Sequence, residues 1–182
     1  MSAFDTAFAK TVGAEGDFSD DLNDSGGKTR FGITEAVARA HGYAGDMKDL
    51  PFSVAKLIMK AQYWDLLRLD AVATRSQPIA AELFDTGVNQ GVATAGLFLQ
   101  RALNVFNRGA SDYADVTVDG VVGPVTVYVL GRFISLRGKE GERVMLAALN
   151  AQQGSRYIEI AEGSPTQERF EFGWFSKRVG IL

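Results

Sequence analysis

Apolar residues recur along this chain mostly at three- and four-residue intervals, the period of helices that turn one face to a core. Ala3, Phe4, Ala7 and Phe8 share a face near the start. Val54, Leu57, Ile58, Ala61 and Trp64 form a stripe after Ser53, a residue type suited to capping a helix. Pro78 stands where a first helical residue would, ahead of IAAELFDTGVNQ. Val92, Ala95, Leu99, Ala102, Leu103 and Phe106 then continue the pattern. These last two helices are expected at the centre of the core.

Polar and turn-forming stretches punctuate the rest. Residues 107–122, NRGASDYADVTVDGVV, predict a loop or small hairpin before Gly123-Pro124 opens an apolar run to Phe133. Glu140 to Glu162 reads as one long helical segment with Gly154 as a candidate bend, and QERFEFGWFSKRV closes the chain after Ser164-Pro165. Strand signals are few, mainly Phe31 to Ile33 and Val116 to Val118, and there is no internal repeat or low-complexity segment. The expected fold is mainly α with a small β element.

Composition narrows the chemistry. The 182 residues, 46% apolar and 23% charged, suit a single globular domain spanning 1–182. A net charge of −3, with the Lys and Arg residues scattered, argues against nucleic acid. There is no cysteine, which excludes disulfides, zinc–thiolate sites and cysteine nucleophiles. The single histidine, His41, argues against a zinc hydrolase, and its place before Gly42 suits a helix C-terminus. The longest uncharged run, Thr86 to Gln100, is too short to span a membrane. The N-terminus lacks the basic start, apolar run and cleavage site of a secretory signal, so export by that route is not expected.

The stretch LNDSGGKTRFGIT, Leu22 to Thr34, contains Gly27-Lys28-Thr29, which has the look of a phosphate-binding loop. Such a loop needs a glycine five positions before Gly27, where Leu22 stands, and an apolar strand ahead of it, where the acidic EGDFSDDLND stands. A calcium loop starting at Asp21 fails at its twelfth position, which is Gly32. A third chemistry remains. Glu15, at the end of the first apolar-periodic helix, is placed for a desolvated, proton-holding carboxyl. Asp24 in a polar turn would stay ionised and could hold a water together with the Thr29 hydroxyl. The bland alternative is a helix-end Glu, a capping Asp and turn glycines.

These residues also carry a resemblance. Glu15-Gly16-Asp17-Phe18 followed by Asn23-Asp24-Ser25-Gly26-Gly27-Lys28-Thr29-Arg30-Phe31-Gly32-Ile33-Thr34 resembles the EGGY-type opening of the N-acetylmuramidases of phage endolysins and bacterial secretion-associated muramidases, glycoside hydrolase family 108. Tyr63-Trp64, the run from Phe84 to Gly91, Leu99 to Leu103 and Phe172-Gly173-Trp174 are similar to the family in the same order. Val118 to Thr126 resembles the DG-x-x-GP-x-T signature of its peptidoglycan-binding-like part, placed here within 92–182. The resemblance implies a lysozyme-like fold that hydrolyses the β-1,4 bond between N-acetylmuramic acid and N-acetylglucosamine. It implies no metal or organic cofactor, and glycan strands of peptidoglycan as the partner of an expected monomer.

Carried over by position, the essential glutamate is Glu15. Asp24 follows at the interval found in phage-type lysozymes, whereas Thr29 follows Asp24 one residue sooner than in their pattern. Asp17, Phe18 and Lys28 depart from the family's Gly, Tyr and Glu, and both prolines around the acidic turn are missing. Phe31, Asp85 and Asn89 are the expected substrate contacts. Asp85 and Asn89, four apart, share a helix face that suits either a cleft wall or a surface pair bonded to nearby backbone, and the resemblance favours the cleft. Trp174 is expected in the core, with Trp64 open between core and sugar stacking. The implied setting is a protein held in the cytoplasm until release, acting on the wall from the periplasm. A lytic transglycosylase and a non-catalytic peptidoglycan-binding protein are the alternatives.

Overall fold

The structure, a computed structural model, describes residues 1–13, 27–164, 168, 172–173, 175–176 and 179. Among them are helices α1 (Ala3–Val12), α2 (Glu35–Ala40), α3 (Phe52–Met59), α4 (Leu69–Ala73), α5 (Gln77–Gln90), α6 (Val92–Val105) and α7 (Pro124–Gly163). A two-stranded antiparallel hairpin, β1 (Thr29–Arg30) and β2 (Ile33–Thr34), lies between α1 and α2. The architecture is mainly α with a small sheet, as the periodicity predicts.

α5 is the central helix and packs against α1, α4, α6 and α7. Ser76 starts it: its hydroxyl accepts from the Ile79 N–H (3.2 Å) and donates to Glu142 Oε2 on α7 (2.6 Å). Pro78 lies one position inside the first turn, where its missing N–H costs nothing. Phe4, Trp64 and Phe84 meet edge to face with centroids 5.3–5.8 Å apart, joining α1 to α5 through the segment after α3. Trp64 is fully buried and its indole N–H donates to Asp70 Oδ1 at 2.8 Å, so it belongs to the core. Trp174 lies outside the described residues.

Four expectations are corrected. The N-cap of α3 is Pro51, with Ser53 inside the helix, and the buried face is Ala55, Ile58 and Met59 while Leu57 is 69% exposed. A single turn of π-helix from Lys60 to Trp64 rotates the stripe, which is how Trp64 reaches the core. The long C-terminal helix begins at Pro124 and kinks at Gly138 (φ 57°, ψ −145°), whereas Gly154 lies within it, buried against Phe175. Val116 to Val118 forms no strand: the Val116 N–H and C=O bond instead to the Asn104 side chain of α6, at 2.8 Å each.

Candidate active site

Glu15 and Asp24 lie outside the described residues; the structure places the elements on either side of them. α1 ends at Gly13, whose N–H bonds to the Ala9 carbonyl, and the chain is described again from Gly27 into β1. Thr29 is half-buried at the start of β1, opposite Thr34, and its hydroxyl donates to the Gly27 carbonyl at 3.1 Å. That bond closes a short turn and leaves the oxygen lone pairs able to accept. Lys28, the residue least expected in the motif, sits near Asp46, whose carboxyl its charge helps hold below the ordinary range, after the larger effect of the Lys48 N–H.

The strand expected from Phe31 to Ile33 is instead mostly a turn: the hairpin reverses through Phe31 (φ 54°) and Gly32 (φ 72°), the two left-handed residues of a two-residue loop, and only Ile33 lies in a strand. A bulky side chain in this region is strained by about 1–2 kcal/mol. Burial offsets it: Phe31 is 7% exposed, its ring edge-on to Phe52 (5.4 Å) with the Arg30 guanidinium 5.0 Å from its centroid. Phe31 therefore anchors the hairpin to α3, and the rigid turn sets where Thr29 sits.

α5 carries the other two expected substrate contacts. Asp85 Oδ2 accepts from the Gln153 amide of α7 at 3.0 Å, and Asn89 Nδ2 donates to the Asp85 carbonyl at 2.7 Å. Asn89 thus commits one N–H to its own helix and keeps its oxygen as an acceptor. Glu82, one turn before Asp85, was not singled out by sequence reasoning. It is 7% exposed, and its Oε1 is buried without a hydrogen-bond partner. Burial first, then the charge of Asp85, push its carboxyl up to about 7 against a smaller opposing pull from Lys10 on α1. The signal was present: Glu82 falls among Ile79, Leu83 and Thr86, the inward positions of α5.

Among the described residues, Thr29 and Phe31 thus lie on the hairpin and Glu82, Asp85 and Asn89 on α5, all in the first half of the chain. Residues 8–91 match the family described as Glycosyl hydrolase 108, and residues 94–179 match the family described as Predicted Peptidoglycan domain. The chain carries a glycosyl hydrolase 108 domain. It is accordingly a glycoside hydrolase, and the second match supports peptidoglycan as its substrate. The solved structure titled "Structure of Brucella abortus SagA" is similar over 97% of this chain and 88% of its own, with a TM-score of 0.70 and 24% identity, a likeness of fold. No curated protein matches the chain by sequence. The glycosyl hydrolase 108 match runs from within α1 to Gly91 and so spans Glu15, Asp24, Thr29, Phe31, Asp85 and Asn89 together.

The signature Val118 to Thr126 has a mechanical role. Gln100 on α6, 1% exposed, accepts from the Asp119 and Gly120 N–H groups (3.1 and 2.8 Å) and donates to Asp119 Oδ1 and the Val121 carbonyl (2.8 and 3.1 Å). Gly120 then lies directly on Gly96, where an added Cβ would overlap the Gly120 carbonyl. The motif is therefore a loop locked onto α6 by side-chain amides.

Proposed function

We propose that the glycosyl hydrolase 108 domain is an N-acetylmuramidase, hydrolysing the β-1,4 bond between N-acetylmuramic acid and N-acetylglucosamine in peptidoglycan. The observation that carries this reading is the family match over residues 8–91, which takes in the Glu15 motif and the hairpin and α5 that flank it. Glu15 is the acid that protonates the glycosidic oxygen as the bond to the muramic acid carbon breaks. Asp24, with the Thr29 hydroxyl, directs a water to that carbon and takes up its proton, or steadies the oxocarbenium-like transition state. Asp85 and Asn89 offer an acceptor and an amide to sugar hydroxyls and acetamides, while Phe31 holds the hairpin in place.

The test is mass spectrometry of purified sacculi digested by the wild type, Glu15→Gln and Glu82→Gln. Reducing muramic acid ends from the wild type, with at least about a hundredfold less product from Glu15→Gln, are expected. Glu82→Gln should retain cleavage. Anhydro-muramic ends would replace hydrolysis by transglycosylation, and equal product from Glu15→Gln and wild type would remove Glu15 from the mechanism.

A further inference from the structure

Away from the α1–hairpin–α5 region, α6 and the last part of α7 form a groove of about 360 Å³. α6 contributes Thr94, Leu97, Phe98 and Arg101, and α7 contributes Gln152, Ser155, Arg156 and Glu159. Each set has the spacing i, i+3, i+4, i+7, so a single face of each helix lines it. Leu97 and the nearly buried Phe98 give an apolar strip, and the Gln152 amide crosses between the helices, donating to the Phe98 carbonyl (3.0 Å) and the Ala148 carbonyl (3.3 Å).

Three features of this groove ask for a ligand. Gln152 Oε1 is buried and accepts no hydrogen bond, so it calls for an N–H or O–H donor. Arg101 is exposed and makes no ion pair among the described residues, while Arg156 shares its charge with Glu159 at 2.8 Å. Two guanidiniums against one carboxylate leave the groove locally positive in a chain of net charge −3. Paired guanidiniums beside hydroxyls suit carboxylates, and an unpaired carbonyl beside an apolar strip suits a peptide backbone with small side chains.

We propose that this groove binds the stem peptide of peptidoglycan, its free carboxylates on Arg101 and Arg156, a peptide N–H on Gln152 Oε1 and its alanine methyls along Leu97 and Phe98. The assignment rests on peptidoglycan being the substrate, and all eight lining residues fall within the matched residues 94–179. The groove would hold the protein on a peptide-bearing strand while the glycosyl hydrolase 108 domain works on the glycan.

The test is calorimetric titration of the intact protein with the tetrapeptide L-Ala-γ-D-Glu-meso-diaminopimelate-D-Ala. Saturable binding is expected, weakened at least tenfold in Arg101→Ala/Arg156→Ala and in Ser155→Trp, which fills the groove from an exposed position. Glu159→Gln should bind more tightly, because it removes a carboxylate competing for Arg156; a damaged fold cannot produce that gain. No saturable binding, unchanged binding in both groove variants, or an equal response to acetate would overturn the assignment. Cleavage of peptide-free glycan strands separates it from the muramidase reading. Wild type and the double arginine variant should cleave them equally. Cleavage without peptide binding removes the groove alone, and peptide binding without cleavage removes the muramidase alone.

Discussion

Glu82 is a carboxyl buried in surroundings that its type ordinarily avoids. An ordinary carboxyl titrates near 4.5, whereas burial raises this one to about 7. Below about 4.5 both folded and unfolded chains hold the proton and there is no penalty. Between 4.5 and 7 the unfolded chain releases the proton and the folded one keeps it, so stability falls as pH rises through that window. The full shift corresponds to at most about 3 kcal/mol. Glu82→Gln should therefore match the wild type in stability near pH 4 and exceed it by ~1–3 kcal/mol at pH 8, read from urea melts at the two pH values. A difference that does not change with pH would mean that Glu82 is ionised in the folded protein. In the sequence, Glu82 is visible only as a charge on an inward face; that its Oε1 finds no partner depends on what the neighbouring helices place around it.

At the scale of elements, the loop 116–121 and the α3 region show where periodicity stops being informative. Val116 to Val118 alternates as a strand would, but a side-chain amide took the place of a partner strand. Asn104 and Gln100, one turn apart on α6, satisfy the loop's backbone groups. Gln100→Ala should lower stability by ~2–4 kcal/mol, since it strips partners from two N–H groups, a carbonyl and a carboxylate, with Gly96→Ala at least as damaging through steric overlap. Thermal melts check both, and Gln100→Glu should recover only part of the loss because it keeps the acceptor and loses the donor. The stripe from Val54 to Trp64 was readable as helix, whereas the π-turn that shifts its phase was not, because it inserts one residue per turn without a signature in residue type.

Across the whole molecule, α7 ties the two matched regions together. Its first half begins beyond the locked loop, and its second half reaches α5 through Glu142 to Ser76 and Gln153 to Asp85. The kink at Gly138 permits this, and its φ/ψ pair is open essentially to glycine alone. Gly138→Ala should cost ~1–3 kcal/mol and, by moving Gln153 relative to Asp85, lower activity on sacculi more than on binding. Parallel melts and turbidity assays check it; unchanged stability would mean the kink carries no strain.

The sequence by itself determined the mainly helical class, the small extent of the β element, the exclusion of cysteine chemistry and the order of residue types around Glu15, Asp24 and Thr29. Those properties are written in residue type and short-range spacing, which a linear reading preserves. Tertiary structure alone decided that Phe31 is an anchor in a strained turn, that Glu82 is a buried carboxyl with its pKa pushed up, that the Asp119-Gly120 motif is a loop pinned by Gln100, and that faces of α6 and α7 meet in a groove. Each of these depends on which surfaces of distant segments come together, and burial and partner choice exist only once they do.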